Sequence, residues 1–91
     1  MKKVIEHDVE KNLIEINKIE GIDKNSLLLD SKQTAFVLSV SKGTIENMRR
    51  KEKIYKSKNL ELPKNIIQSI EIGGKVMYQK RKIAEFLARI E

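Results

Sequence analysis

The sequence predicts a mainly α-helical protein that carries one small β-hairpin. Apolar residues recur at helical spacing near both ends of the chain, and a capping-box signal opens a short helix in the middle. Two short runs of alternating apolar and polar residues flank Gly73 and Gly74. With 91 residues and 40% hydrophobic content, the sequence suits a single small domain with one thin core.

Charge is distributed unevenly along the chain, whose formal net charge is +6. Residues 1–25 hold five Lys against six acidic residues, net −1, whereas residues 26–91 hold fourteen Lys or Arg against seven acidic residues, net +7. We therefore divide the chain into an N-terminal helix with its linker, 1–25, and a basic domain, 26–91. A small domain with such a positive excess typically binds a polyanion, most often nucleic acid.

The composition argues against several classes of function. The chain has no Cys, which removes thiol catalysis and thiolate zinc sites. His7, the only histidine, stands between Glu6 and Asp8 as a solvated residue rather than a metal ligand. The carboxylates are scattered, and no Gly-rich loop precedes a helix at phosphate-binding spacing. We expect no enzymatic activity, no metal, no cofactor and no small-molecule substrate.

Membrane association is not expected either. The sequence lacks an apolar run of about 18 residues, and its start, MKKVIEHDVEKN, meets acidic residues where a signal peptide needs an unbroken apolar stretch. The basic residues also do not lie opposite one broad apolar face, as they would in a helix that binds a membrane surface. We expect a cytoplasmic protein.

An amphipathic helix is predicted near the N-terminus. Five apolar residues fall within about 120° of arc at helical spacing, and Gly21 ends the pattern. These residues are Ile5, Val9, Leu13, Ile16 and Ile19. The stripe fits two roles: it packs on the chain's own domain, or it joins the chain to further copies in a homodimer or larger homo-oligomer. The sequence leaves both alternatives open.

Two helices are predicted in the middle of the chain. Asp30 stands before SKQTAFVLS with Gln33 three residues on, which is the capping-box spacing of a helix start. Ser41 can cap a second helix through its hydroxyl, and we expect that helix to run to Lys53.

The second of these helices has two contrasting faces. Ile45 and Met48 lie about 60° apart and face the core. Gly43, Asn47 and Arg50 cluster on the opposite side, which is thin near its start and polar throughout. A helix of this kind can closely approach the major groove of DNA, although the same pattern alone also fits an ordinary solvated face.

A loop and a closing helix frame the predicted hairpin. The stretch 54–69 is expected to form a loop with some extended structure, because Pro63 disfavours a central strand. The final segment, KRKIAEFLARIE, places apolar residues at helical spacing, and they are expected in the core.

The hairpin itself is predicted from SIEIGGKVMYQ. All four of its apolar residues lie on one face if Ile72 is opposite Val76 and Ile70 is opposite Tyr78. That register implies a three-residue connection over 73–75 rather than a tight two-residue turn.

Two short helices joined by a tight turn, then a hairpin and a closing helix, follow the element order of a winged helix-turn-helix. The segments LDSKQTAFVLSVSKGTIENMRRKEKI and IEIGGKVMYQKRKIAEFL resemble the excisionase-like helix-turn-helix proteins, relatives of the MerR-type DNA-binding domain and of AlpA-type prophage regulators. The likeness covers residues 28–90. It rests on Ala35, Leu38, Val40, Ser41, Thr44, Ile45, Met48, Gly73, Gly74, Lys75, Ile83, Phe86 and Leu87, which stand where the family pattern expects them.

The resemblance implies a sequence-specific double-stranded DNA-binding protein of a mobile element, either a transcription regulator or a recombination directionality factor. Its recognition helix would lie in the major groove, where Asn47 could pair with an adenine edge and Arg50 could reach guanine or a phosphate. The DNA-contacting residues of this helix would be Ser41, Lys42, Gly43, Thr44, Glu46, Asn47, Arg50, Lys51 and Lys53. The wing and the following helix would place Gly73, Gly74, Lys75, Lys80, Arg81 and Lys82 near the backbone or minor groove.

The chain departs from the family pattern at four places. Ser39 stands where Gly is usual, Gly43 replaces a commonly basic residue, and Arg49 replaces a usually apolar one. The stretch 55–69 is longer than usual, which leaves the placement of the wing open. We expect Arg49 to extend from the core edge towards the backbone or DNA, and a positive φ at Ser39 would cost about 1 kcal/mol.

Two other functions fit the same composition. A protein-binding adaptor would use an apolar helix face for its partner, and its basic face would only keep it in solution. A non-specific architectural protein would bind DNA with strong salt dependence and no preference for sequence.

Overall fold

The computed structural model of the chain describes residues 6–90, which form four helices and a three-stranded antiparallel sheet. The elements are α1 (Glu6–Asn17), β1 (Leu28–Asp30), α2 (Ser31–Leu38), α3 (Lys42–Ser57), β2 (Ile70–Ile72), β3 (Lys75–Gln79) and α4 (Lys80–Ile90). The order of helices and the position of the hairpin agree with the sequence prediction. The strand β1 was not predicted, so the sheet is larger than a hairpin.

The additional strand β1 pairs with β3, which lies at the centre of the sheet. Leu29 is opposite Tyr78, and both side chains are buried. The outer edge of β1 is occupied by neighbouring side chains. The Ser26 hydroxyl accepts a hydrogen bond from the Leu28 N–H at 3.2 Å and donates to the Leu28 carbonyl at 3.0 Å. This edge is therefore closed to a further strand.

The register of the hairpin differs from the predicted one. Ile72 is opposite Lys75, and Ile70 is opposite Met77, so the predicted pairing with Val76 and Tyr78 was wrong. The reason is the turn: Gly73 and Gly74 have φ values of 57° and 81°. Two successive positive φ values form a tight two-residue turn, which Gly adopts without steric cost. As a consequence, Ile72 is exposed.

Both mid-chain helices begin as predicted. The Asp30 carboxylate accepts from the Gln33 N–H at 2.7 Å, and the Gln33 side chain accepts from the Asp30 N–H at 3.1 Å, which completes the capping box. Ser39 ends α2 in the left-handed conformation with φ 57°, which Gly adopts without the steric cost that Ser has there. The Ser41 hydroxyl accepts from the Thr44 N–H at 3.1 Å and caps α3.

The third helix is longer than predicted. It continues past Lys53 to Ser57, so the first four residues of the expected 54–69 loop are helical. Residues 58–69 form neither helix nor strand, which agrees with the loop predicted for this part of the chain. At 16 residues, α3 is the longest helix of the described chain and is rich in charge. Across residues 6–90, no helix combines the length and apolar character that crossing a membrane requires.

The N-terminal helix packs on α4 and shares one core with the rest of the described chain. Val9 and Ile16 of its apolar stripe are buried, while Leu13 and Ile19 are half-buried. The Asn12 amide donates to the Ala84 carbonyl at 3.0 Å and ties the two helices together. Packing on the chain's own domain is thus the alternative that the structure shows, and Val9 and Ile16 are not available to a second copy. Ile5 lies outside the described residues.

Candidate nucleic-acid interface

A groove of about 540 Å³ separates α3 from the hairpin. Its lining comes from β1 and the start of α2, one side of α3 and the start of β3, and we refer to it as the α3–hairpin groove. It is lined by Asp30, Ser31, Lys32, Lys42, Ile45, Glu46, Arg49, Arg50, Lys75 and Val76. Because Ile45 is buried in the core, it fixes this side of α3 against the rest of the domain.

Four basic side chains around the groove carry unpaired positive charge. They are Lys32 on α2, Lys42 and Arg50 on α3, and Lys75 on β3. Within residues 6–90 none of the four forms an ion pair, whereas Arg49, Lys56 and Arg81 each bind a carboxylate. Three separate elements therefore direct basic side chains without ion pairs to one concave surface, which also carries the carboxylates of Asp30 and Glu46. Sequence reasoning missed Lys32, since only the fold brings the start of α2 to this groove.

The recognition-helix residues that the sequence predicted are all exposed on α3 or at its cap. The structure brings two of them into direct contact, because Arg50 Nη1 donates to Asn47 Oδ1 at 2.9 Å. A Cβ atom placed on Gly43 would meet nothing nearer than Ser41 Oγ at 3.7 Å. The fold itself therefore does not require glycine at position 43, and its missing side chain only thins the outer surface of the helix.

The hairpin contributes one basic residue to the groove. Gly73 and Gly74 form the exposed turn, and Lys75 follows directly on β3. Lys42 faces the same groove from the other side, at the start of α3. Free backbone N–H groups at a helix start favour an anion, so this end of the groove suits a phosphate group.

The basic run at the start of α4 does not line this groove. Lys80 is buried, and its ammonium group donates to Asn17 Oδ1 at 2.8 Å and to the Asp23 carbonyl at 2.7 Å. Lys80 thus fastens the loop after α1, and its predicted role near phosphate was wrong because its donors are directed inward.

The next two residues of the run are exposed but lie beside acidic partners. Arg81 donates to Glu6 at 2.6 Å, and this hydrogen bond lowers the pKa of the Glu6 carboxyl. Lys82 is 3.8 Å from Glu85 and borders a small cavity with Gln68. Neither Arg81 nor Lys82 is brought to the α3–hairpin groove.

Neither a family model nor a curated protein nor a solved structure matches the chain.

A polar cluster joins α3 to the segment before β2. Glu52 is fully buried and accepts hydrogen bonds from the Ser69 hydroxyl at 2.6 Å and from the Ser69 N–H at 3.1 Å. Lys56 lies 2.9 Å from the same carboxylate. Burial acts to raise the pKa of Glu52, but the hydrogen bonds from Ser69 and Lys56 outweigh it, so the pKa lies below its ordinary value. The cluster holds an ionised carboxylate inside the protein.

Arg49 extends this cluster to the hairpin. Its Nη1 donates to Ser69 Oγ at 2.9 Å and its Nη2 donates to Glu71 Oε2 at 2.9 Å. The sequence predicted that Arg49 would extend towards the backbone or DNA, whereas the structure directs it to two side chains. Burial and the negative charge of Glu52 raise the pKa of the nearby Tyr78 hydroxyl. Helical spacing places Glu52, seven residues after Ile45, on the core side of the helix, but the sequence did not indicate its partner Ser69.

Proposed function

We propose that this protein binds double-stranded DNA in a sequence-specific manner as a winged helix-turn-helix of the excisionase-like kind. In this proposal α2 and α3 form the helix-turn-helix, and β2 with β3 forms the wing. The observation that carries the proposal is the convergence of Lys32, Lys42, Arg50 and Lys75, all unpaired, on one groove. A cluster of basic side chains without ion pairs is the usual electrostatic footprint of a nucleic-acid partner.

The outer side of α3 supports insertion into a major groove. That groove is about 12 Å wide and admits an α-helix. Gly43 keeps the first turn thin, and Asn47 and Arg50 follow on the same exposed side. We infer that Asn47 contacts an adenine edge and that Arg50 contacts guanine or a phosphate, with their mutual hydrogen bond holding both side chains in place before binding.

Contacts with phosphate would supply most of the affinity. Lys42 and Thr44 stand at the start of α3, while Lys51 and Lys53 are exposed further along. Flexible ammonium and hydroxyl groups at the groove edge position a protein on the backbone without reading bases. Lys75 on the wing would hold a second part of the backbone, and Lys32 adds one contact that the sequence did not suggest.

The biological role proposed is that of a transcription regulator or a recombination directionality factor of a mobile element, acting in the cytoplasm. This part rests on the family resemblance over residues 28–90. A domain of this size covers little DNA, so specific occupancy would use two or more copies on repeated half-sites. With Val9 and Ile16 buried in the chain's own core, such copies would meet through another surface.

Selection of bound fragments from a random duplex pool tests the proposal, followed by titration of the selected duplex at several salt concentrations. With about five phosphate contacts, log K should fall against log salt with a slope of roughly −4.5. Lys42→Ala and Lys75→Ala should each reduce that slope by about 1, whereas Lys11→Ala, on the exposed side of α1, should leave it unchanged. A slope near zero would overturn DNA binding.

A protein-binding adaptor is the second candidate, and exposed apolar side chains favour it. Leu27 is 81% exposed and Phe36 is 69% exposed, the two highest fractions among the large apolar side chains that the structure describes. This candidate predicts that the intact protein shows no salt-dependent affinity for duplex DNA. If instead the pool yields no enriched sequence but binding remains steeply salt-dependent, the protein is a non-specific architectural DNA binder.

A further inference from the structure

A bidentate arginine links the proposed recognition helix to the proposed wing. Arg49 leaves α3 and donates to Glu71 on β2 and to Ser69 just before it, in both cases at 2.9 Å. In a third contact, Arg49 Nη1 lies 3.7 Å from Oε1 of the buried Glu52, which also keeps the guanidinium in place. Arg49 itself lines the α3–hairpin groove, and so does Val76, which is opposite Glu71 in the sheet.

The outer strand of the hairpin has few apolar contacts to hold it. β2 is a three-residue edge strand, and two of its residues, Glu71 and Ile72, are exposed. The turn that follows is exposed as well. A strand anchored by so little buried apolar surface depends on its polar contacts for its position relative to α3.

We propose that Arg49 and Glu71 form a clasp that sets the distance between α3 and the wing, so that Lys75 reaches the DNA backbone while α3 occupies the major groove. Arg49 is thereby a positioning residue and not a contact residue. This inference rests on the proposed function. It also explains why an arginine stands where the resembled family usually has an apolar residue.

The chemistry of the side chain fits this role. Guanidinium is planar and presents its donors in a fixed fork, so two hydrogen bonds to different acceptors define its orientation. Lysine carries the same charge on a freely rotating ammonium group and would not define that orientation. A clasp made before binding removes the cost of ordering the wing at the moment of contact with DNA.

A double-mutant cycle tests the clasp through the contribution of Lys75. The affinity of the full chain for a duplex selected from the random pool is measured at fixed salt for Lys75→Ala in three backgrounds: wild type, Glu71→Gln and Arg49→Lys. In the wild-type background the substitution should weaken binding roughly fivefold. In the two clasp variants it should have little effect, because the wing no longer holds Lys75 at the backbone.

Lys42→Ala provides the matched control, since Lys42 lies on α3 and does not depend on the wing. It should weaken binding by the same factor in all three backgrounds. Glu71→Gln also removes a negative charge near DNA and can raise the overall affinity, but the cycle compares ratios and is unaffected. Thermal unfolding of each variant verifies that it is folded, and Glu71 is exposed enough for the substitution to be mild.

The outcomes separate the two proposals. If Lys75→Ala weakens binding in the Glu71→Gln or the Arg49→Lys protein by the same factor as in the wild type, the clasp is overturned while DNA binding stands. If no variant, including the wild type, binds any duplex with salt dependence, the proposed function itself fails and the clasp fails with it.

Discussion

Glu52 on α3 and Ser69 before β2 are joined by two hydrogen bonds in the interior of the protein, 17 residues apart in the chain. The shorter one, from the Ser69 hydroxyl, is 2.6 Å long. A buried carboxylate is stable only where donors compensate for its lost hydration. Ser69 supplies two of these donors and Lys56 a third. The buried carboxylate of Glu52 therefore holds the helix to the hairpin, and it is stable only with these three donors.

Loss of the Ser69 hydroxyl should destabilise the fold. Ser69→Ala removes a donor to buried Glu52 and an acceptor for Arg49, so we expect a loss of about 1–3 kcal/mol in the free energy of unfolding. Urea denaturation measures it. Ser57→Ala serves as the control, because Ser57 is exposed at the end of α3 and should change stability by less than about 0.5 kcal/mol. Equal effects of the two substitutions would show that the buried cluster contributes nothing.

The same carboxylate should make stability depend on acidity. The pKa of Glu52 is lowered from its ordinary value of 4.5 in the folded state, so between the two pKa values the unfolded chain binds more protons. The contribution of Glu52 is therefore complete above pH 4.5 and is lost as the pH falls through the folded-state pKa. Glu52→Gln should be less stable than the wild type at neutral pH, and the difference should shrink on acidification. Glu6 titrates in both proteins and cancels in the comparison.

Local signals in the sequence were sufficient for the starts of both middle helices, whereas α3 continues past its predicted end at Lys53 to Ser57. The capping box at Asp30 and the Ser41 cap each depend on residues within about four positions, and both were found as predicted. These features can be predicted without the tertiary structure, because local backbone hydrogen bonding and φ preference determine them.

Features that depend on distant parts of the chain were missed. β1 has only three residues, too few for a pattern, and it exists because β3 pairs with it across the domain. Lys80 looks like a surface residue in the sequence, yet it is buried with partners from other elements. Glu52 lies on the core side of α3 by its spacing, but its bond to Ser69 depends on the fold. The convergence of Lys32 with Lys75 on the groove also depends on the fold and was missed for the same reason. Of the ten residues that line the groove, four were predicted as site residues, and their convergence on a single surface could not be predicted.

The left-handed residue at the end of α2 offers a simple stabilising change. Ser39 has φ 57°, a conformation that costs an ordinary L-residue roughly 1–2 kcal/mol and costs Gly almost nothing. We expect Ser39→Gly to raise the free energy of unfolding by up to about 1 kcal/mol. Asn59, with φ 54°, is the comparison, because Asn tolerates this region better and Asn59→Gly should gain less. Thermal unfolding of both variants measures the two gains in stability. A loss of stability in Ser39→Gly would show that the left-handed conformation of Ser39 carries no such cost.

Two lysines that look alike in the sequence should separate stability from binding. Lys80→Met leaves the acceptors at Asn17 and Asp23 without their donor, so the free energy of unfolding should fall by about 1–3 kcal/mol. The affinity of the folded protein for DNA should stay the same. Lys75→Ala should weaken DNA binding and leave the free energy of unfolding unchanged, since Lys75 is exposed and unpaired on the hairpin. Urea denaturation and titration of the selected duplex measure the two quantities. A strong loss of DNA affinity in folded Lys80→Met would restore Lys80 to the interface.

Glu46, one of the two acidic residues that line the groove, should limit affinity for DNA in general. Glu46 is exposed between Lys42 and Arg50 on α3 and would face phosphate groups of like charge. We expect Glu46→Gln to strengthen binding to random-sequence duplex by roughly two- to fivefold at low salt, with the gain declining as salt screens the repulsion. Glu20→Gln removes one negative charge from the exposed turn after α1 and should change affinity far less. Equal gains for the two substitutions would mean that only net charge matters, and that Glu46 does not face the DNA.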